Sequence, residues 1–332
     1  MNKTKSGGLL GKFKQLNIPG ILIGDIVLFI LFGLANNKFL STYNIILIFR
    51  NTCTLLLAAI GLTLVILIGQ IDMSIGSVVS MSAVLVVVLY NNGAPLAVAM
   101  VAPLLLGLLI GLVNGILIAK FKLDYWVVTF GMMSVFAGLA LVVTKGNTVA
   151  VKNDFINWIG NGKIAGLYVI IWITVILAAL MIWVQNKTKF GYDLFALGGS
   201  RNVAAVSGIK VVETSIAVYM LSGLFASIAG LAVACMTTSG SPSVGVDYTF
   251  NAMAAVVIGG TAFSGGKGGL VGTVFGALLM KILASGLSLM GIPSTWQKAI
   301  TGMVIVSLII IDVVADHRKN IQAKRRVYNN VG

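Results

Sequence analysis

The 332-residue chain contains one histidine, His317, and two cysteines, Cys53 and Cys235. A single histidine supplies neither a His-based metal site nor a Ser-His-Asp triad. Both cysteines sit inside apolar runs, which excludes a disulfide framework and the small secreted folds that depend on one. Charge is scarce as well, at 10% of residues, and the nine acidic residues are spread singly from Asp25 to Asp316. The concentrated set of titratable or nucleophilic groups that an intramembrane enzyme would need is therefore lacking. A phosphate cradle is lacking too. The stretch Ser264, Gly265, Gly266, Lys267, Gly268, Gly269 resembles one only superficially, because Thr261 stands where the first P-loop glycine should be and Gly268 replaces the magnesium-holding Ser/Thr. Its glycines suit a tight turn, where positive φ is needed.

What the chain has in excess is hydrocarbon. Hydrophobic residues make up 58% and the mean hydropathy is +1.02. A transmembrane helix takes about 20 mostly apolar residues, so roughly ten spans fit. The expected fold is all-α and polytopic, with about ten transmembrane helices. The apolar segments fall near 19–35, 44–69, 73–90, 95–119, 125–144, 166–185, 215–237, 250–263, 268–289 and 296–314. The eighth is short and reads as re-entrant or broken. The first is expected to be a retained span, since no A-x-A-like cleavage site follows Leu34 and Ala35.

The net charge of +14 does not make a nucleic-acid face, which needs basic residues clustered on a water-soluble scaffold. The basic residues flank the spans instead, and the partner they imply is the lipid bilayer. With the N-terminus inside, the cytoplasmic segments carry Lys120, Lys122, Lys187, Lys189, Arg201, Lys210, Lys267 and both basic termini, against Lys38, Lys145, Lys152, Lys163 and Lys298 outside. The positive-inside rule then puts both termini in the cytoplasm. The resulting division is a cytoplasmic segment 1–18, a membrane domain 19–314 with a cytoplasmic loop 186–214, and a basic tail 315–332.

Inside the spans, small residues recur every four positions, at Gly107, Gly111 and Gly115, at Gly272 and Gly276, and at Ser222, Ala226, Gly230 and Ala234. Such stripes let helix backbones approach closely in lipid. Polar residues within spans are costly and should face the bundle interior. The candidates for a central path are Asn51, Thr52, Thr54, Asn114, Thr129 and Asn251, with Asp72 and Lys281. Asp72 is also placed to cap a helix beginning at Met73. Lys281 is expected either to pair with a carboxylate such as Asp25 or to reach water.

The longest cytoplasmic connection contains Gly199, Ser200, Arg201, Asn202, Val203, Ala204, Ala205, Val206, Ser207 and Gly208. Ser200 is suited to an N-cap and Gly208 to a left-handed stop, bracketing about two turns of helix. A helix so short is marginal alone in water and must pack on something.

The stretch GLTLVILIGQIDMSIGS from Gly61 to Ser77 resembles the signature of carbohydrate ABC importer permeases of the ribose, xylose, arabinose and galactoside type. So do GGSRNVAAVSGIKV, AMAAVVIGGTAFSGGKGGLVGTVFGALL and GLSLMGIPSTWQKAITGMVIVSLIIIDV, in the same order, together spanning Asn44 to Asp312. The resemblance implies a permease subunit of the bacterial inner membrane. Its implied partners are a second permease (a copy or a relative), ABC ATPase subunits that hold ATP and magnesium, and an extracytoplasmic solute-binding protein. No cofactor is implied on this chain. The family's coupling helix falls on Gly199 to Gly208. The chain departs from the family at Gly69–Gln70 (usually two glycines), Ala137 (usually arginine) and Ala284–Ser285 (usually an asparagine pair). These changes redistribute the hydrogen-bond partners available to a polyol. An ion-coupled carrier and an amino-acid permease of the same superfamily remain the alternatives.

Overall fold

The computed structural model describes residues 18–303 with 306, 307 and 310. The N-terminal segment as far as residue 17, the basic tail 315–332 and most of the tenth apolar segment beyond residue 303 lie outside the described residues.

The chain is helical nearly throughout. Its helices are α1 (Ile18–Ala35), α2 (Thr42–Leu67), α3 (Ile75–Asn91), α4 (Leu96–Gly115, prolonged by a π turn Ile116–Lys120), α5 (Tyr125–Thr144), α6 (Asp154–Asn161) and α7 (Val169–Lys187). They continue as α8 (Lys189–Gly199), α9 (Arg201–Val206), α10 (Val211–Thr237), α11 (Tyr248–Ile258) and α12 (Leu270–Leu289), and residues 294–303 form α13. Among the described residues, six are long and apolar enough to cross a membrane: α2, α4 with its π turn, α5, α7, α10 and α12. Ile21–Ala35, α3 and α11 are apolar but shorter.

Burial separates centre from periphery. In α2 and α10, 67% of the most apolar window is buried, against 28% in α4 and 22% in α5. The outer faces of α1, α4, α5 and α7 present Ile30, Leu109, Val127 and Ile176 outward, a surface suited to hydrocarbon. α10 packs against α4, α2 and α3, and the Gly107–Gly111–Gly115 stripe is what admits it. A methyl group at Gly111 would collide with the Tyr219 carbonyl, and one at Gly107 with Gly223 and Ser227. Gly272 and Gly276 seat α11 in the same way, against Gly259 and Ala255.

Two elements differ from the sequence expectation. The third helix begins at Ile75 rather than Met73, because Ser74 is its N-cap residue and residues 68–74 are irregular. The eighth segment is the eleven-residue helix Tyr248–Ile258 rather than 250–263. At about 1.5 Å per residue it covers roughly half of a 30 Å hydrocarbon core. The chain before it descends alongside α3 without forming a helix, with Gly240 against Ala83 and Gly245 against Gly76. Irregular backbone at such depth is tolerated when protein surrounds it. Here the Gly245 N–H donates to Ser80 Oγ (2.8 Å) and the Gly76 N–H to Thr249 Oγ1 (3.0 Å).

One end of the bundle carries two short ribbons, β1 (Val149–Ala150) paired antiparallel with β4 (Ser239–Gly240), and β2 (Lys163–Ile164) with β3 (Leu167–Tyr168). Arg50 belongs to this end. Its guanidinium donates to the carbonyls of Gly160 and Met236 and to Asn161 Oδ1, and lies 4.7 Å from the Tyr168 ring centroid. The opposite end carries α8, α9 and the glycine-rich turn 264–269.

Candidate functional site

Between α2 and α12 lies a cavity of about 510 Å³, within the usual range for small-molecule sites. Helical periodicity builds its walls. Asn44, Ile48, Asn51 and Thr54 share one face of α2, and Lys281, Ala284, Ser285 and Ser288 share one face of α12. Tyr248 at the start of α11, Gln297 of α13, Val244, and Val233, Met236 and Thr237 of α10 add to the lining. Thr54 and Lys281 lie midway along their helices, whereas Asn44 and Leu289 lie at the ribbon-bearing end. The cavity thus runs from that end toward the middle of the bundle.

Its polar groups are partly tied together. The Tyr248 hydroxyl donates to Thr54 Oγ1 (2.9 Å), and Ser285 Oγ donates to Asn44 Oδ1 (2.9 Å). Asn44 Nδ2 donates in turn to the Phe39 carbonyl (2.9 Å). Asn51 and Lys281 are left to face the space. Such a surface of amides, hydroxyls and one ammonium can exchange hydrogen bonds with a small polar solute.

The expected pairing of Lys281 with Asp25 does not form. The ion pair found among the described residues is Lys298–Asp247, at 2.7 Å. The reason is angular: α1 covers the face of α12 that carries Leu279 and Gly286, with Gly24 and Phe32 against them. At 100° per residue, Lys281 points the other way, into the cavity. Asp25 is buried, and among the described residues neither carboxylate oxygen has a hydrogen-bond partner.

The remaining path candidates fall into three groups. Asn251 lines a smaller neighbouring space with Asp247, Ala284 and Lys298. Thr52 and Thr129 turn back on their own helices, donating to the carbonyls of Ile48 (2.8 Å) and Tyr125 (2.7 Å), a pattern that satisfies a hydroxyl within the helix. Asp72 and Asn114 meet in a buried network nearer the opposite end. Asp72 Oδ1 accepts from the Ser74 N–H (2.9 Å) and from the Ser74 hydroxyl, while Oδ2 accepts from Ser222 Oγ (2.8 Å). Asn114 Nδ2 donates to Ser74 Oγ (3.1 Å). Asp72 therefore stabilises the irregular turn leading into α3 and ties it to α10, rather than capping a helix at Met73.

In the 186–214 loop, two helices replace the single short one expected. α8 ends at Gly199, and Ser200 is the N-cap of α9, its hydroxyl accepting from the Val203 N–H (3.4 Å). α9 stops in a Schellman motif. The Gly208 N–H donates to the Ala205 carbonyl and the Ile209 N–H to that of Ala204, both at 3.1 Å, with Gly208 at φ +81°. Ala204 is buried, and Arg201 Nη2 reaches Ser215 Oγ of α10 (3.3 Å). Asn202, Val203, Ala205, Val206 and Ser207 are exposed, so α9 offers an apolar face that none of the described residues covers.

Beneath α9 lies a joint made of backbone. The Gly266 N–H donates to the Leu67 carbonyl at the end of α2 (2.9 Å). Gly198 of α8 packs on both of those groups, and Gly265 packs on Gly69 and Gly198. A methyl group at Gly198 would collide with Leu67 O and Gly266 N.

Residues 44–309 match the family described as branched-chain amino acid transport system / permease component, and the chain belongs to it. It is an ABC-transporter permease, embedded in the bacterial cytoplasmic membrane. Among curated proteins it is 36% identical over 308 residues to the ribose import permease protein RbsC of Bacillus subtilis (strain 168), covering 90% of this chain and 95% of that one. Identity to the Escherichia coli (strain K12) ribose import permease is 35% over 295 residues, or 88% of this chain and 92% of the relative. The autoinducer 2 import system permease protein LsrC of Escherichia coli (strain K12 / DH10B) is 34% identical over 291 residues, 88% of this chain and 85% of its own length. No solved structure matches the chain.

Sequence reasoning named Asn51, Thr54 and Lys281 for the path and marked Ala284–Ser285 as a family departure, but passed over Asn44, Thr237, Tyr248, Ser288 and Gln297. The seven-residue spacing from Asn44 to Asn51 was a usable signal. Ser222, taken for a packing residue, is the partner of Asp72.

Proposed function

We propose that the chain forms half of the membrane channel of a binding-protein-dependent importer for a small hydroxylated solute of the carbohydrate type. On this reading it crosses the membrane ten times, has both termini in the cytoplasm and works beside a second permease, a copy or a relative. An extracytoplasmic binding protein delivers solute to the ribbon-bearing end. A separate ATPase, carrying ATP and magnesium, engages the 186–214 loop at the other end. The observation that carries the reading is the cavity, whose amide and hydroxyl lining suits a polyol and whose mouth opens on the ribbon-bearing end. The names of the relatives, which refer to ribose and autoinducer 2, point to the same class of solute.

In this mechanism the chain does no chemistry. The ATPases close on ATP and lever α9 through Arg201, Asn202, Ala205, Ser207 and the apolar pair Val203 and Val206. Ser200, Gly208 and the buried Ala204 keep α9 rigid. Gly199 joins it to α8, which passes the motion through Gly198 to the end of α2. Asn51, Thr54, Asn251 and Lys281 contact the solute only transiently, since tight binding would block release. Thr52, Thr129, Asp72 and Asn114 hold the helices that form the path.

Reconstitution in proteoliposomes with the partner ATPase and binding protein tests this. Uptake should require ATP and should be inhibited by pentoses. Uptake driven by a proton or sodium gradient without ATP would replace the reading with an ion-coupled carrier, and inhibition by leucine instead of pentoses with an amino-acid importer.

A further inference from the structure

The cavity carries a charge that a neutral sugar does not require. Lys281 sits midway along α12, where an ammonium is costly unless it is paired or hydrated. Among the described residues, neither Asp247 nor Asp25 is available to it. Asp247, in the adjoining space, is held by Lys298 at 2.7 Å, and Asp25 belongs to α1, which covers the opposite face of α12. The other polar side chains lining the cavity are uncharged amides and hydroxyls, with Thr237, Ser288 and Gln297 beside those named above. Among the described residues the combined space therefore holds two lysines and one carboxylate, and that carboxylate is taken by Lys298, leaving Lys281 without a counter-ion there.

Two further features have the same sign. α11 begins at Tyr248 on the cavity wall, so the positive end of its dipole opens on this space. An ammonium is also a donor only, with no acceptor to offer a hydroxyl group. A wall of amides and hydroxyls supplies both donors and acceptors to a polyol, and a single ammonium supplies the counter-charge for one carboxylate.

We propose that the solute passing this cavity is a monoanionic sugar acid, with its carboxylate facing Lys281 in transit. This rests on the reading of the cavity as the translocation path and adds the substrate's charge to it.

The test uses the permease assembled with its ATPase in lipid nanodiscs, with Cys53 and Cys235 replaced by alanine and one cysteine introduced by Ala284→Cys, one helical turn from Lys281. Two methanethiosulfonate reagents of similar size, one bearing a sulfonate and one a trimethylammonium group, report the charge of the space. The ratio of their modification rates cancels their intrinsic reactivities when variants are compared. Lys281→Gln should lower the sulfonate-to-ammonium ratio about tenfold, while Lys281→Arg should keep it. Lys281→Met gives the same readout if the glutamine variant fails to assemble. D-Ribonate should slow modification more than D-ribose at equal concentration, and Lys281→Gln should abolish that difference. A ratio unchanged by the loss of Lys281, or equal protection by the two compounds, overturns the anionic assignment and leaves the path in place. A cysteine that neither reagent reaches overturns the path reading itself.

Discussion

The two halves of α2 are built on different plans. Toward the ribbon-bearing end its cavity face meets side chains, with Asn44 and Thr54 hydrogen-bonded to Ser285 and Tyr248 and with Asn51 and Lys281 facing the open space. At its other end, backbone meets backbone, with Leu67 held by Gly266 and Gly198 and with Gly69 against Gly265. The first arrangement tolerates a change of side chain and would alter what is recognised. The second has no room for a single methyl group and would alter whether motion is transmitted. On the proposed reading, selectivity and coupling are thus separated along one helix.

The largest effect is expected where that separation is strictest. Gly198→Val forces a branched side chain into the Leu67 carbonyl and the Gly266 amide. It should cost about 1–3 kcal/mol of stability and remove nearly all substrate-stimulated ATPase, measured on the reconstituted complex. Full stimulation in a well-assembled Gly198→Val complex would show that the joint carries no motion.

Gly208→Val comes next. Residue 208 sits at φ +81°, which a β-branched side chain resists, so the Schellman stop should fail while the bundle inserts normally. ATPase stimulation should fall several-fold, and solute protection of cavity cysteines should persist. Loss of that protection would mean the two ends are not separable.

Asp72 distinguishes hydrogen bonding from charge. Asp72→Asn keeps an oxygen for the Ser74 amide, and Ser222 Oγ can accept from the new amide nitrogen, so thermal stability in detergent and transport should both change little. Asp72→Ala strands Ser74 and Ser222 in the interior and should cost about 1–3 kcal/mol. Equal, severe transport loss in both variants with normal assembly would give the carboxylate charge a direct part in transport.

The smallest effect belongs to the cavity wall. Tyr248→Phe removes one hydrogen bond to Thr54, a loss of about 1 kcal/mol. It should shift the apparent affinity for solute a few-fold and leave basal ATPase unchanged. A large fall in basal ATPase would place Tyr248 in the coupling route instead.

Much of this was legible because its signals are local. Apolar runs, a small residue every fourth position, and a serine and a glycine bracketing two turns all report on their own neighbourhoods, so the spans, the glycine seams and the capped α9 could be read from the sequence. What joins distant segments could not. Nothing in Gly198 announces that it will meet Leu67 and Gly266, and nothing in Ser222 distinguishes it from the packing residues Ala226 and Gly230 of its stripe. Of the two alternatives expected for Lys281, a carboxylate partner or a wet space, pairing with Asp25 failed on geometry: both residues lie in helices that pack together, but residue type does not tell which face of α12 the neighbour covers. Tyr248 was missed because an eleven-residue helix preceded by irregular chain leaves no clear periodic pattern around it.

The guanidinium of Arg50 fixes where movement can occur. By gripping α6, the end of α10 and the Tyr168 ring at once, it rivets the outer end of α2 to a collar made of those elements. α12 and α13 have no part in that grip, although they form the opposite wall of the cavity. Under the proposed mechanism, a pull at Leu67 would turn α2 about this outer anchor, and α12 and α13, which the anchor does not hold, would be the cavity walls left free to move.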